Sequence, residues 1–226
     1  MSVKLVSYTQ PPPGANQTSL LELVAFCARV SNPENQNNSK TSEKLVRYLI
    51  KNEHWSPLEM VNVCLEIETT RDIARQILRH RSFSFQEFSQ RYAVIDEEPL
   101  KVREARLQDH KNRQNSIETD DPELQTSWER LQKSVHDASR DAYSWALTNG
   151  IAKEVARSVL PEGLTTTRLY MNGTLRSWVH YVALRGSNGT QKEHVEIAQK
   201  CAQVIDQIFP ISSIIYGSDT STGAKC

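Results

Sequence analysis

The chain has 226 residues, of which 38% are hydrophobic and 24% charged, and its 27 Lys and Arg side chains equal its 27 Asp and Glu. That length suits one domain, which by surface scaling exposes about 10,000 Å² when folded and buries roughly 70% of what the unfolded chain shows, so no disulfide or metal staple is needed. Zero formal charge argues against a protein held to nucleic acid by phosphate contacts.

Val3 to Thr9 alternates apolar and polar residues and predicts a short strand, ended by Pro11-Pro12-Pro13-Gly14. The same opening has no basic region followed by an apolar run, and no stretch approaches the ~20 apolar residues of a membrane span; a soluble, cytoplasmic protein with no membrane or nucleic-acid partner is expected. Leu20, Leu21, Val24 and Ala28 fall at helical spacing and predict a helix over 19–30; the polar loop SNPENQNN separates it from a second over 42–52. Between Glu59 and Thr69, Val61, Val63, Leu65 and Ile67 alternate with polar neighbours and Cys64, as in a half-buried strand. From Arg71 to Arg79 the period turns helical, with Ile73, Ala74, Ile77 and Leu78 on one side.

Between Glu104 and Asp121 only Ala105, Leu107 and Ile117 are apolar, which predicts an exposed, mobile loop. Asp121-Pro122 reads as a helix start, Asp as cap and Pro in the first turn. Leu124, Trp128, Leu131, Val135, Ala138, Ala142 and Trp145 then alternate spacings of four and three up to Asn149-Gly150. This predicts a long helix whose stripe packs into the core, with a two-helix coiled coil as the alternative. Ile151 to Leu160 reads as a short helix stopped by Pro161, and the Thr-rich stretch Leu164 to Tyr170 as extended. Thr174 to Leu184 and Thr190 to Phe209 are the last helices; the second opens on a T-x-x-E box of Thr190 and Glu193 and carries Ile197, Cys201, Val204, Ile205 and Ile208. Residues 213–226 predict a flexible tail. There is no internal repeat, and the fold class is α+β with helix predominating.

Chemistry concentrates in RDIARQILRHRSFSFQEFSQRY, Arg71 to Tyr92, with His80 between Arg79 and Arg81. On a helix Arg71, Arg75 and Arg79 share one face, each like-charge pair costing about 0.2–0.5 kcal/mol unless something neutralises it. Asp72 is placed to do part of that. The pattern suits either a solvated basic face or a site for an anion with several oxygens, which guanidinium forks match. The aromatics, hydroxyls, amide and carboxylate from Ser82 to Ser89 suit a flat heterocycle beside a phosphate.

Arg79-His80-Arg81, seven residues, then Ser89 is similar to the R-H-R-x7-S signature of flavin-dependent thymidylate synthases, in a context that also matches at Gln76, Glu87 and Arg91. His54-Trp55-Ser56-Pro57-Leu58-Glu59 resembles that family's H-x-[ST]-P-x-E segment, and Glu154-x-x-Arg157-x-x-Leu160-Pro161 its E-x-x-R-x-x-L-P segment. Gly173-Thr174-Leu175-Arg176-Ser177-Trp178, with His180 and Arg185 beyond, resembles its late ligand-bearing helix. The resemblance implies the fold of the thymidylate synthase-complementing proteins, a helix-rich single domain with a small antiparallel sheet. It also implies methylation of dUMP to dTMP by FAD reduced with NADPH, carbon from 5,10-methylenetetrahydrofolate, and a homotetramer with active sites shared between subunits.

By that resemblance Gln76, Arg79, Glu87, Phe88, Ser89, Gln90, Arg91, Arg157 and Arg185 meet dUMP. His54, Ser56, Arg79, His80, Arg81, Glu87, Thr174, Leu175, Arg176 and His180 meet FAD, and no metal is implied. In keeping with this the chain has no G-x-G-x-x-G. It departs from the family pattern at Gln86, where Asn is frequent, and at Thr174 and His180, where some members have Asn.

Activating carbon 5 of uracil calls either for a thiolate adding at carbon 6 or for stabilised negative charge on the ring with hydride delivered to it. Cys27, Cys64, Cys201 and Cys226 lie in two helices, a strand and the tail, none beside a His-bearing loop and no two as C-x-x-C, so neither cysteine attack nor a zinc site is expected. The resemblance assigns the charge-stabilising, catalytic role to Arg185; contact with its own helix terminus is the plainer reading. Ser89 is expected to orient substrate, His80 to be a neutral hydrogen-bonding partner, His54 to end a helix or touch flavin, Glu193 to cap, and Trp145 and Trp178 to lie in the core. A nucleotide- or RNA-binding module stacking bases on Phe83, Phe85 and Phe88 is the rival reading, and an inactive family member kept for assembly a third.

Overall fold

The computed structural model describes residues 1–95 and 100–216. In chain order it forms β1 (Ser2–Tyr8), α1 (Leu20–Ala28), α2 (Ser42–Lys51), β2 (Asn62–Thr70), α3 (Arg71–Ile77), β3 (Ser84–Glu87), β4 (Arg106–Gln108), β5 (Ser116–Glu118), α4 (Pro122–Thr148), α5 (Lys153–Ala156), β6 (Thr166–Thr174), α6 (Leu175–Arg185), α7 (Lys192–Ile205) and α8 (Ile211–Tyr216). A 3-10 turn over Ser56–Met60 replaces the first residues of the strand expected from Glu59.

The main sheet is antiparallel, in the order β1-β2-β6-β3. Alternation decides its faces: Val63, Leu65, Ile67, Leu169 and Met171 are buried, while Asn62, Arg168, Tyr170 and Asn172 point the other way. A register shift between Leu5 and Ser7 of β1 takes up one residue, so that Val3, Leu5 and Tyr8 all pack on the core. That core is closed by α1, α2, α6 and α7, with Trp178, Tyr181, Ile197, Cys201 and Ile205 at its centre. Trp178 is fully buried, its indole N–H donating to the Val63 carbonyl at 3.0 Å. Among the described residues no helix is long and apolar enough to cross a membrane.

Four expectations are corrected. The 104–121 stretch is a β4–β5 hairpin rather than a loose loop. It is tied to α4 by Gln125, whose amide bonds both the N–H and the C=O of Ala105, and Gln132 does the same to Arg103. Because those glutamines, with Tyr143 and Ala146, form the inner face of α4, its apolar stripe is turned outward: Leu124, Trp128, Leu131, Val135 and Trp145 are 38–64% exposed, so neither the stripe nor Trp145 is core. The Thr190–Glu193 box does not form, since α7 starts later, at Lys192, and Glu193 turns to Arg106. Residues 211–216 form α8, packed on α6 and α7, where a tail from 213 was expected; the rest of that tail, with Cys226, lies outside the described residues.

Candidate active site

Helix α6 gathers three of the matched segments. It starts where β6 ends, capped by Thr174, whose hydroxyl accepts from the Ser177 N–H at 3.2 Å. Just before it, a Cβ on Gly173 would stand 2.4 Å from the Phe83 ring, so only glycine lets the segment after R-H-R lie against β6. Ser177 then donates to the Ser82 carbonyl at 3.1 Å. On the outer face Arg176 pairs with Glu59, and the His180 ring lies 4.3 Å from that of Trp55. His54 is placed by a Schellman ending of α2: His54 N–H bonds Leu49 C=O, Glu53 N–H bonds Ile50 C=O, and Glu53 takes φ 59, a left-handed position that favours glycine. Leu175 is buried and Ser56 exposed.

Arg79 does not continue α3, which ends at Ile77; the backbone loosens to i→i−3 bonds at Arg79 and His80, so Arg71, Arg75 and Arg79 do not form one helical face. Arg71 and Arg75 are neutralised by Glu87 and Glu162, while Asp72 serves Arg103 and Thr70 instead. Of the arginines carried over by resemblance, Arg91 pairs with Glu154 and Arg176 with Glu59. Arg79, Arg81, Arg157 and Arg185 have no carboxylate partner among the described residues.

Arg185 Nε donates to His80 Nε2 at 2.9 Å. A guanidinium has only donors, so His80 must be neutral with its proton on Nδ1, as expected. Burial, then Arg185 and Arg79, lower its pKa to about 4; burial, then Arg185 and His80, do the same to His194, also to about 4. Both titrate in the unfolded chain near 6.5. The unfolded state therefore binds more protons between those values, and stability is complete above about pH 6.5 and falls as the pH drops towards 4. Melting temperature should decline steadily from about pH 7 to 5, where lowered carboxylates such as Asp72 stay ionised; a flat profile contradicts a neutral half-buried His80 and a neutral buried His194.

The second group lies beyond β3. Glu87 is held by Arg71, Arg75 and Thr167, Phe88 and Ser89 are exposed, and Gln90 is 3% exposed with its amide nitrogen unpartnered among the described residues. Arg157 begins the 3-10 turn after α5, and the Arg91–Glu154 pair and Lys153 to the Tyr92 carbonyl join these two stretches. Among the described residues no hydrogen bond ties this group directly to the α6 group. Gln76 faces inward, bonded to Gln191 and His194. Three features went unread in the sequence: Gly173 as a close-approach glycine, Trp55 against His180, and Glu193 as an ion-pair residue. The thiols are ill suited to attack, since burial raises the pKa of Cys27, Cys64 and, furthest, Cys201. The rival stacking platform is not formed, because Phe83 is buried against Trp178 and Tyr181.

Residues 5–211 match the family model described as thymidylate synthase complementing protein. The chain belongs to that family. Relatives within the thymidylate synthase complementing proteins include a probable flavin-dependent thymidylate synthase of Paramecium bursaria Chlorella virus 1, 51% identical over 93% of this chain and 96% of the relative. The flavin-dependent thymidylate synthase of a Synechocystis species is 48% identical over the same shares. Among solved structures, a UMP/dUMP methylase PolB from Streptomyces cacaoi bound with 5-Br dUMP superposes with a TM-score of 0.77 at 25% identity, covering 93% of this chain and 92% of that one. The α+β architecture with its small antiparallel sheet is thus that of the thymidylate synthase complementing proteins.

Proposed function

We propose that the chain is a flavin-dependent thymidylate synthase, an FAD-dependent methyltransferase that makes dTMP from dUMP with 5,10-methylenetetrahydrofolate as carbon donor and NADPH as reductant. The observation that carries this reading is the split in the Arg71–Tyr92 stretch. Arg71, Arg75 and Arg91 are ion-paired, whereas Arg79 and Arg81, like Arg157 and Arg185 elsewhere, keep their charge for something else. An anionic nucleotide and the pyrophosphate of FAD are such ligands. The unpartnered Gln90 amide fits a flat polar ligand as well, because a buried donor left unsatisfied costs about 1–3 kcal/mol until a ligand or neighbour accepts from it. The similar Streptomyces protein is a UMP/dUMP methylase, which supports a uracil nucleotide, and the viral and Synechocystis relatives are described as flavin-dependent, which supports a flavin.

When bound and reduced, flavin supplies the hydride. The protein's part is binding and electrostatics. Arg185, oriented by neutral His80, holds negative charge on the uracil imide without itself changing protonation. Arg79 and Glu87 stand where the two ligands share the site, Arg81, Thr174, Arg176, Ser56, His54 and His180 hold flavin, and Ser89, Arg91 and Arg157 orient the nucleotide. The outward stripe of α4 joins chains into a homotetramer that completes the site, bringing the Ser89–Arg157 group of one subunit to the α6 group of another. The protein acts in the cytoplasm.

The test is direct: purified protein should carry or take up yellow FAD that NADPH bleaches, and should form dTMP only with dUMP and methylenetetrahydrofolate both present. Protein that cannot be loaded with FAD refutes the reading. Arg79→Ala should weaken dUMP and FAD together, each by about tenfold as a charged hydrogen bond is lost; titrations showing both affinities unchanged would remove Arg79 from the shared position.

A further inference from the structure

A chain of hydrogen bonds joins the start of α7 to Gln76 of α3 and Tyr181 of α6. Gln191 Nε2 donates to Glu193 Oε2 at 2.9 Å and Gln76 Nε2 to Gln191 Oε1 at 2.7 Å; His194 Nδ1 lies 3.2 Å from Gln76 Oε1, and His194 Nε2 3.1 Å from the Tyr181 hydroxyl. Such a chain can usually run either way, since amides, neutral imidazoles and hydroxyls each donate at one end and accept at the other. Here one end is fixed. Glu193 is buried, paired with Arg106 of β4 and 3.9 Å from Arg103. Burial opposes its charge, but hydrogen bonds from its own backbone N–H and from Gln191, with the Arg106 and Arg103 charges, hold its carboxyl below the usual range.

An ionised carboxylate only accepts. Gln191 must therefore turn its nitrogen to Glu193 and its oxygen to Gln76, and Gln76 must turn its nitrogen to Gln191 and its oxygen to His194. His194 must then carry its proton on Nδ1, and its bare Nε2 must accept from Tyr181. Reversing any member sets two acceptors or two donors face to face, a mismatch that costs most at buried Glu193 and His194. The far end reaches the site itself, as the Tyr181 ring packs edge-on to His80, the acceptor for Arg185.

We propose that Glu193 is a positioning residue for nucleotide recognition: its charge, relayed through Gln191, decides where the remaining N–H and the remaining lone pair of the Gln76 amide stand for dUMP and which nitrogen of His194 bears the proton. This rests on the reading of Gln76 as a nucleotide contact. A pinned amide offers one fixed N–H and one fixed lone pair, whereas a freely turning one offers either in either place and loses affinity to that averaging.

Imidazole 15N shifts of the ligand-free protein, with His194 assigned by its absence from His194→Gln, should show the Nδ1–H tautomer. Glu193→Gln keeps size and hydrogen bonding but can donate or accept. It should give a mixture of tautomers and raise the dUMP dissociation constant about tenfold while FAD binding is unchanged. Gln191→Met cuts the relay but leaves the Glu193–Arg106 pair, and should do the same even if Glu193→Gln fails to fold. An Nε2–H tautomer in the wild type, or an unchanged tautomer or unchanged dUMP affinity in the folded variants, overturns the proposal. Wild-type protein with the Nδ1–H tautomer that binds no dUMP overturns the functional reading and, with it, the role in recognition.

Discussion

Arg185→Ala should lower dTMP turnover by about 10²–10³-fold, the usual cost of removing a preorganised donor from developing negative charge. The fold should hardly notice. Arg185 is half-buried at the end of α6, with no carboxylate partner, and its hydrogen bond to His80 contributes about 1 kcal/mol. The variant should therefore melt within a few degrees of the wild type and still bind FAD. Its electrostatic signature is specific: Arg185 is the second-largest cause, after burial, of the lowered pKa of both His80 and His194, so both should titrate at higher pH without it. Arg185→Lys should recover little, because an ammonium lacks the planar fork that serves His80 with one nitrogen and leaves the others for substrate. A folded Arg185→Ala enzyme with full turnover would remove Arg185 from the chemistry and leave it as a helix-end residue.

The periodicities that bury a face within the chain were legible in the sequence. Val63 to Ile67 alternate because that sheet has one dry side, and Ile197, Cys201 and Ile205 recur because α7 lies on it. Asp121-Pro122 and Asn149-Gly150 bounded α4 because capping is local chemistry: the Asp121 carboxylate accepts from Glu123 and Leu124 N–H, and Gly150 takes φ 77. The β4–β5 hairpin was not legible, since what holds it is distant in sequence, namely Gln125, Gln132 and the Arg106–Glu193 pair. Nor was the end of α3, as Ile77, Leu78 and Arg79 are all adequate helix formers and only the turn into Phe83 and Gly173 stops them. For the site, motif matching named the segments and the structure supplied their pairing: Ser82 with Ser177, Glu59 with Arg176, His80 with Arg185. Which arginines are neutralised depends on Glu87 and Glu162 reaching across from other elements, a matter of three dimensions alone.

Hydrophobic period does not distinguish a face that meets the chain's own core from one left outside it, and α4 is the case in point. It runs for 27 residues, about 40 Å at 1.5 Å per residue, with Leu124, Trp128, Leu131, Val135, Ala138, Ala142 and Trp145 along its outer side. A stripe of that length and regularity matches helix-to-helix packing between subunits and exceeds the scattered exposed leucines of ordinary surfaces. On the proposed tetramer, Leu131→Asp combined with Val135→Asp should give single chains, read as a fourfold fall in mass by light scattering. Helical content should be unchanged, because both side chains are more than half exposed in the lone chain and Tyr143, Ala146, Gln125 and Gln132 still dock the opposite face. Between subunits each aspartate would instead meet apolar neighbours, with a desolvation cost no local rearrangement offsets. Turnover should fall with the assembly, since among the described residues no hydrogen bond or ion pair within one chain joins the Ser89–Arg157 group to the α6 group. A double variant that keeps the wild-type mass would place the subunit contact elsewhere, and one that dissociates yet keeps full turnover would show that a single chain holds the complete site.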